Sequence, residues 1–228
     1  MNCYAIVLAG GSGQRMGTEE NKVFLPLRGV PTIVRAIAPF SALCQGIVVV
    51  SREGELTQMR QLLTRFCLAA HVLAVVAGGA DRQASVACGL AALPPEADMV
   101  LVHDGARPLV TVQVVQTAME SAEAHGSGIA SIPVTDTIKR ASKEGLVQET
   151  LARESLFAMQ TPQGFQTALL RQAHQAADQS GYRATDDAAL LEYAGMPVHL
   201  CQGDPENIKL TTPLDIDLAE LILQRRAE

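Results

Sequence analysis

The chain has 228 residues, enough for one α/β domain or two small ones, and 48% of them are hydrophobic, which supports a sizeable core. Only 4% are aromatic, so Val, Ile, Leu and Ala must fill that core. The net charge of −6 excludes a broadly basic surface for nucleic acid or an anionic membrane; any polyanion must be met by a few bases gathered in one pocket.

The apolar run Cys3 to Leu8 reads as a buried first strand, with Ala5–Leu8 at its heart. It opens directly into Leu8-Ala9-Gly10-Gly11-Ser12-Gly13-Gln14-Arg15-Met16-Gly17, followed by Lys22. A strand running into a Gly-rich turn lets phosphate oxygens approach backbone N–H groups closely. Arg15 and Lys22 add positive charge around that turn, a pattern suited to a nucleoside triphosphate. The two commoner glycine loops do not fit. The dinucleotide pattern places Met16 where its last Gly belongs, and the Walker pattern places Arg15 at its second Gly. On glycine content alone, a tight strand-to-helix turn without a ligand fits equally well.

Further strands are predicted at Ile47–Ser51, Val72–Val76, Val100–His103 and Ile129–Pro133, each a continuous apolar run as in parallel strands buried on both faces. Between them, Leu56, Met59, Leu62, Leu63 and Phe66 recur at helical spacing, as do Val112, Val115, Ala118, Met119 and Ala122. This βαβ alternation predicts a mostly parallel sheet with helices on both faces and ligands at the carboxyl ends of the strands. Three unusual loops fall at such ends: Ala9–Lys22, Ala77–Ser85 and Asp104–Pro108.

The rhythm changes from Thr135 to Thr161. Thr137–Arg140 and Leu146–Arg153 flank Ser142-Lys143-Glu144-Gly145 and read as a hairpin with too little apolar area to stand alone, so it should project and pack on something else, such as a second subunit. The last helix is expected to start at an N-cap Thr212 with Pro213 and Asp215 in its first turn, to bury Leu214, Leu218, Leu221 and Ile222, and to end with Arg225 and Arg226. Asp186 and Asp187 read most simply as the N-cap of a helix reaching Tyr193.

The five cysteines, Cys3, Cys44, Cys67, Cys88 and Cys201, are odd in number and none shows C-x-x-C spacing, so buried free thiols are expected rather than a metal or redox centre. The N-terminal apolar run is too short for a signal peptide, and no run approaches the ~20 residues of a membrane span. A soluble, cytoplasmic protein is the expectation. His71, His125, His174 and His199 lack metal-ligand spacing and read as structural or solvent-facing.

Three more segments carry chemistry-bearing residues. In His103-Asp104-Gly105-Ala106-Arg107-Pro108, an Asp at a strand end can orient a sugar or help hold a metal, or simply cap a turn. In Gly78-Gly79-Ala80-Asp81-Arg82-Gln83-Ala84-Ser85, glycines let a flat base approach backbone and Ser85 can bond a base edge; equally, Asp81 can cap a helix and leave Arg82 solvated. In Asn207-Ile208-Lys209, the lysine precedes the last helix in a polar stretch; a lone surface Lys is usually solvated.

Together these segments resemble the sugar-phosphate cytidylyltransferases, and among them the 2-C-methyl-D-erythritol 4-phosphate cytidylyltransferases. The likeness spans essentially the whole chain and adds Asp136-Thr137, Arg153, Gln160-Thr161-Pro162-Gln163 and Thr185-Asp186. It implies a single domain over residues 1–228 with a Rossmann-like three-layer α/β sandwich, a mostly parallel sheet and a projecting β-arm over 136–157. It implies transfer of a cytidylyl group from CTP to the polyol phosphate with Mg²⁺ held mainly by CTP phosphates, and a homodimer joined through the arm. It implies catalytic roles for Arg15, Lys22, Lys209 and Arg153. CTP would be met by Ala9, Gly10, Gly11, Gly79, Ala80, Ser85, Asp104 and Gly105, and the acceptor by Asp104, Arg107, Thr137, Arg153, Thr161, Thr185 and Lys209. A ribitol 5-phosphate cytidylyltransferase shares the CTP loops; Arg153 favours methylerythritol phosphate. A CTP-binding regulator without turnover would be expected to lose Arg15, Lys22 or Lys209, and all three are present. Four positions depart from the commonest pattern: Asn21 for Pro, Ala80 for an acidic residue, Gly105 for Ala and Ala152 for Asp.

Overall fold

The computed structural model describes residues 1–11 and 21–227. In chain order the elements are β1 (Cys3–Leu8), β2 (Pro26–Leu27), β3 (Val30–Pro31), α1 (Thr32–Ser41), β4 (Gly46–Ser51), α2 (Leu56–Arg65), β5 (Val72–Ala77), α3 (Arg82–Ala91), β6 (Met99–Asp104), α4 (Val112–His125) and β7 (Ser127–Pro133). The arm strands β8 (Lys139–Ala141) and β9 (Val147–Thr150) follow, then β10 (Phe157–Gln166), α5 (Thr167–Ser180), α6 (Asp187–Tyr193), β11 (Leu200–Gln202) and α7 (Pro213–Ala227).

All five strands expected from apolar runs form, and they join β10 and β11 in a seven-stranded sheet of order β11-β7-β10-β6-β1-β4-β5. Every pairing is parallel except the two made by β10. Alternation along β1 divides the core. Cys3, Ala5 and Val7 pack with residues of α1, α2 and α4 on one face; Tyr4 and Ile6 pack with those of α3, α5 and α6 on the other. The result is the expected three-layer α/β sandwich.

β10 escaped the apolar-run reading because its central Gln160-Thr161-Pro162-Gln163 is polar and interrupted by Pro. These polar residues are nevertheless buried, and the register shifts between Met159 and Gln163 where the strand bulges.

α7 corrects the predicted stripe. Leu214, Leu218 and Leu221 are 72%, 42% and 45% exposed, whereas Ala219 and Ile222 are buried with Leu27, Leu109 and Leu210. Apolar residues lie on two sides of this helix, so periodicity could not choose between them. The small Ala219 lets the helix approach Leu27 and Leu210 closely. Its first turn is capped by Asp215, whose Oδ2 accepts from Thr211 N and Thr212 N at 2.7 Å each. The cysteines are all free, but they depart from the expected burial: Cys3 is fully buried, Cys44, Cys88 and Cys201 are half-buried and Cys67 is exposed.

α4 lies unusually close to the sheet over two paired glycines, Gly128 of β7 and Gly164 of β10. A Cβ on Gly128 would sit 2.4 Å from the Ala118 carbonyl oxygen, and one on Gly164 would sit 2.8 Å from the same atom. Backbone cannot retreat as a side-chain tip can. Gly128→Ala should therefore cost ~1–3 kcal/mol by overpacking, a fall of roughly 2–10 °C in Tm. Thermal unfolding beside the parent protein measures it; an unchanged midpoint would show that α4 lifts off β7 freely.

Candidate active site

The chain leaves β1 outward through β4 and β5, then crosses back to place β6 on the other side of β1. The carboxyl ends of β1 and β6 thus flank the point where strand order reverses, the preferred crevice of open α/β sheets. The three loops singled out in the sequence meet here. Gly105 N donates to Leu8 O at 2.8 Å, Ala9 N to Val50 O at 2.7 Å, and Gly78 N to Ser51 O at 2.8 Å.

Asp104, the last residue of β6, is the hub. Its Oδ2 lies 2.7 Å from Lys209 Nζ, and its Oδ1 lies 3.6 Å from Arg82 Nε. Burial pushes the carboxyl up, but Lys209 and Arg82 outweigh burial and hold it well below the usual carboxylate range. Arg82, at the start of α3, also pairs with Asp187 of α6 at 2.7 Å. Neither simple turn-capping by Asp104 nor a solvated Arg82 describes this arrangement.

Behind Asp104 lies a chain of neutral groups. Asp104 N donates to Thr161 Oγ1 at 3.0 Å, and Thr161 Oγ1 is 3.0 Å from His103 Nδ1. His103 Nε2 is 3.2 Å from Arg107 O, a carbonyl that can only accept. The proton therefore sits on Nε2, and Nδ1 accepts from the threonine. Burial lowers the His103 pKa to about 4, which keeps the ring neutral.

The segment carrying Lys209 is clamped by amides. Gln160 Nε2 donates to Asp204 O at 2.8 Å while its Oε1 accepts from Asp204 N at 3.2 Å. Asn207 Nδ2 donates to Thr161 O at 2.9 Å. Arg107 donates to Asn207 O at 2.7 Å, and Leu210 N donates to Ala106 O at 2.8 Å. Lys209 itself is 40% exposed, tethered at its base and accessible at its tip.

Arg15 lies outside the described residues. On the flanks of that segment, the carbonyls of Ala9, Gly10 and Gly11 all face side chains. Asn21 Nδ2 donates to Ala9 O at 2.7 Å, and Arg52 donates to Gly10 O and Gly11 O. Glu55 joins the two donors, accepting from Asn21 at 2.8 Å and pairing with Arg52 at 3.2 Å. Asn21, where Pro is frequent, supplies an amide that Pro lacks. Lys22 follows it in a short 3₁₀ turn.

The Gly78–Ser85 loop turns back on itself. Asp81 caps α3 by accepting from Ala84 N at 2.7 Å, as one reading of the sequence anticipated. Ser85 Oγ donates to Asp81 O and accepts from Gly79 N. A Cβ on Gly79 would lie 2.4 Å from that of Ala84, so the loop needs glycine there. Gly79 and Ala80 are exposed. Gly105 is no loose turn: a Cβ there would lie 2.6 Å from Ile33 Cδ1 and 2.9 Å from Leu8 O.

The structure thus brings together Asp104, Gly105, Arg107, Thr161 and Lys209, with the Ala9–Gly11 and Gly79–Ser85 loops at neighbouring strand ends. Thr137 and Arg153 sit apart on the arm, both exposed, where Arg153 Nη1 donates to Thr135 O at 3.2 Å. Thr185 is exposed beside Asp186, which caps α6 by accepting from Ala189 N at 3.0 Å. Sequence reading names Asn21 and Gln160 without giving either a role, and it missed Arg52, Glu55 and Asp187 as parts of the site. Only Asp187 carried a signal: two consecutive acids where one suffices as a cap.

Because folded His103 titrates near 4 and a free imidazole near 6.5, the unfolded chain takes up this proton first as pH falls. Its contribution is full above pH 6.5 and is lost progressively toward pH 4. At pH 5.0 the loss is ~2 kcal/mol. The stability gap between the parent protein and His103→Gln should shrink by that amount from pH 7.5 to 5.0 in denaturant titrations; a constant gap would mean that His103 is not held neutral.

The family model described as IspD, 2-C-methyl-D-erythritol 4-phosphate cytidylyltransferase, matches residues 3–225. The chain is 48% identical over 229 residues to a protein of that name from Geobacillus kaustophilus, covering 99% of each. It is 42% identical over 225 residues to one from Pelotomaculum thermopropionicum, covering 97% of this chain and 94% of the relative. Among solved structures it resembles the enzyme of the same name from Thermus thermophilus, with TM-score 0.80, 34% identity and coverage of 98% and 100%. It also resembles 4-diphosphocytidyl-2C-methyl-D-erythritol synthase from Anaerococcus prevotii, with TM-score 0.86, 26% identity and coverage of 98% and 99%. With the strand-end crevice, its cationic residues and these likenesses over nearly the full length, the chain belongs to the 2-C-methyl-D-erythritol 4-phosphate cytidylyltransferase family, nucleotidyltransferases that join CTP and that polyol phosphate in isoprenoid biosynthesis.

Proposed function

We propose that this chain catalyses cytidylyl transfer by position and charge, without a general base. The acceptor is a phosphate monoester whose second pKa of about 6 leaves it largely dianionic at neutral pH. Nothing need remove a proton from it, and the nearest histidine, His103, is buried and committed to Thr161 and Arg107. The difficulty is bringing a dianion onto an anionic α-phosphate, which demands preorganised cations.

The observation that carries this reading is Lys209 Nζ held 2.7 Å from Asp104 at the reversal point of the sheet, with its tip open to solvent. Lys209 bridges the incoming phosphate and the α-phosphate. Arg15 and Lys22 bind the triphosphate and the charge of the transition state. The Ala9–Gly11 backbone, Gly79, Ala80 and Ser85 receive cytosine. Asp104 and Thr185 hold polyol hydroxyls. Arg107 and Thr161 support that end of the site through the segment they anchor.

Mg²⁺ fits the nucleotide better than a protein cage. Among the described residues no group of three His, Cys, Asp or Glu side chains is placed to hold a metal, and both Asp104 oxygens face cations. Bound through the CTP phosphates, Mg²⁺ would supply charge neutralisation there.

The arm reaches a second copy of the chain. β8 and β9 pair only with each other and are exposed throughout, so the hairpin lacks a core of its own. Arg153 and Thr137, at its base, grip the acceptor phosphate of the partner's site. A cytoplasmic setting suits five free cysteines and polar, phosphorylated substrates, and among the described residues no helix is long and apolar enough to cross a membrane.

Lys209→Ala should cut turnover at least ~100-fold, the usual loss for one preorganised charge at a transition state, with the fold intact by circular dichroism. Pyrophosphate release reads it, and more than a third of parental turnover would sink the role. For the arm, inactive Lys22→Ala and Arg153→Ala chains are mixed and allowed to exchange. Mixed dimers should regain activity by rebuilding one intact site; verified mixed dimers that stay inactive would show that the arm serves its own subunit.

A further inference from the structure

Beneath the site lies a buried acid that the reaction does not use. Asp187 has a side chain only 1% exposed, in the first turn of α6. Its backbone N donates to Gln163 Oε1 at 3.1 Å, as does Ala188 N at 3.2 Å, and the preceding Asp186 caps the helix. Gln163 belongs to β10, so α6 is pinned to the same strand that supplies Gln160 and Thr161.

Two titratable groups face this carboxylate. Arg82 Nη1 lies 2.7 Å from Oδ2, and His174 Nε2 of α5 lies 4.0 Å from Oδ1. Burial lowers the His174 pKa, and both its ring nitrogens lack a hydrogen-bond partner among the described residues, so it brings no charge. Burial pushes the Asp187 carboxyl up, and Arg82, at 2.7 Å, is the cation that opposes this and balances its charge. The same guanidinium lies 3.6 Å from Asp104, which in turn holds Lys209. The order is Asp187, Arg82, Asp104, Lys209: alternating charges running from the core to the open end of the crevice.

We propose that Asp187 is a positioning residue: by holding the larger share of Arg82, it keeps that guanidinium from closing on Asp104 and leaves Asp104 Oδ1 open to a hydroxyl of the polyol phosphate. Without the Asp187 charge, Asp104 is the carboxylate left for Arg82 to pair with, since the Asp186 oxygens already accept from Gln163 Nε2 and Ala189 N. A planar fork that spans two acids then becomes bidentate to one, and a buried bidentate pair competes directly with substrate hydroxyls. This inference rests on placing Asp104 at the acceptor.

The test separates coupling from structural damage. Partial unfolding removes active enzyme and lowers kcat while KM stays; a misplaced Asp104 raises KM. Asp187→Asn keeps the side-chain size and should raise KM for 2-C-methyl-D-erythritol 4-phosphate ~10-fold or more, the effect of disturbing one charged hydrogen bond. A KM within threefold of the parent, whatever kcat does, would overturn the proposal. Should Asp187→Asn not fold, the double variant Asp187→Asn/Arg82→Gln leaves neither charge buried alone. It should show normal KM for the acceptor, since no guanidinium remains to close on Asp104; a tenfold rise there would overturn the proposal. Asp104→Asn is measured alongside: if it leaves acceptor KM unchanged, the placement of Asp104 has failed rather than its coupling to Asp187.

Discussion

The shared ionisation of Asp104 organises this molecule. A carboxylate at the buried end of β6 is costly unless paired, and Lys209 and Arg82 pair it from opposite sides. Each partner comes from a distant segment, so the pairs join the Gly78–Ser85 loop and the Asp204–Leu210 segment to the central strand. Electrostatics and architecture are therefore one problem here. Lys209 and Arg82 are the counter-charges that allow Asp104 to be buried at this strand end.

Around this charged hub the chain relies on neutral amides and hydroxyls. Gln160 and Gln163 each bind backbone with both ends or with two neighbours, Asn207 Nδ2 donates to Thr161 O, and Thr161 relays between the Asp104 N–H and a neutral His103. These bonds hold loop backbone in place without adding charge near the phosphates. They also explain why an interior strand such as β10 carries polar residues: its side chains provide the hydrogen bonds that irregular segments on either side lack.

Beyond the end of β1, side chains from two other segments hold the backbone. Arg52 and Asn21 hold the carbonyls of three successive residues, Ala9 to Gly11, and Glu55 ties the two clamps together. Carbonyls engaged in this way are turned toward the protein and away from an approaching anion, an arrangement suited to backbone N–H contacts with phosphate or base. A net charge of −6 still leaves room for a local cationic cluster, such as Arg82 and Lys209 around Asp104.

The alternation of apolar runs and helical stripes determined the parallel sheet and its helical layers, because burial on both faces leaves a continuous apolar signature. The order of the Gly-rich loop, His103 to Pro108, and Asn207 to Lys209 likewise carried the family likeness. What only the tertiary structure decided was long-range. β10 became an interior strand because its Gln and Thr side chains found backbone partners far along the chain, which no local pattern reveals. α7 buried Ala219 and Ile222 rather than Leu214, Leu218 and Leu221 because both sides of the helix are apolar and the neighbouring Leu27 and Leu210 select the smaller residue. Asp187 read as a cap and proved to be the buried partner of Arg82. Local sequence encodes propensity and periodicity; that Arg82 meets Asp187 and Lys209 meets Asp104, each pair about a hundred positions apart, is set by the folding of distant segments and exists only in three dimensions.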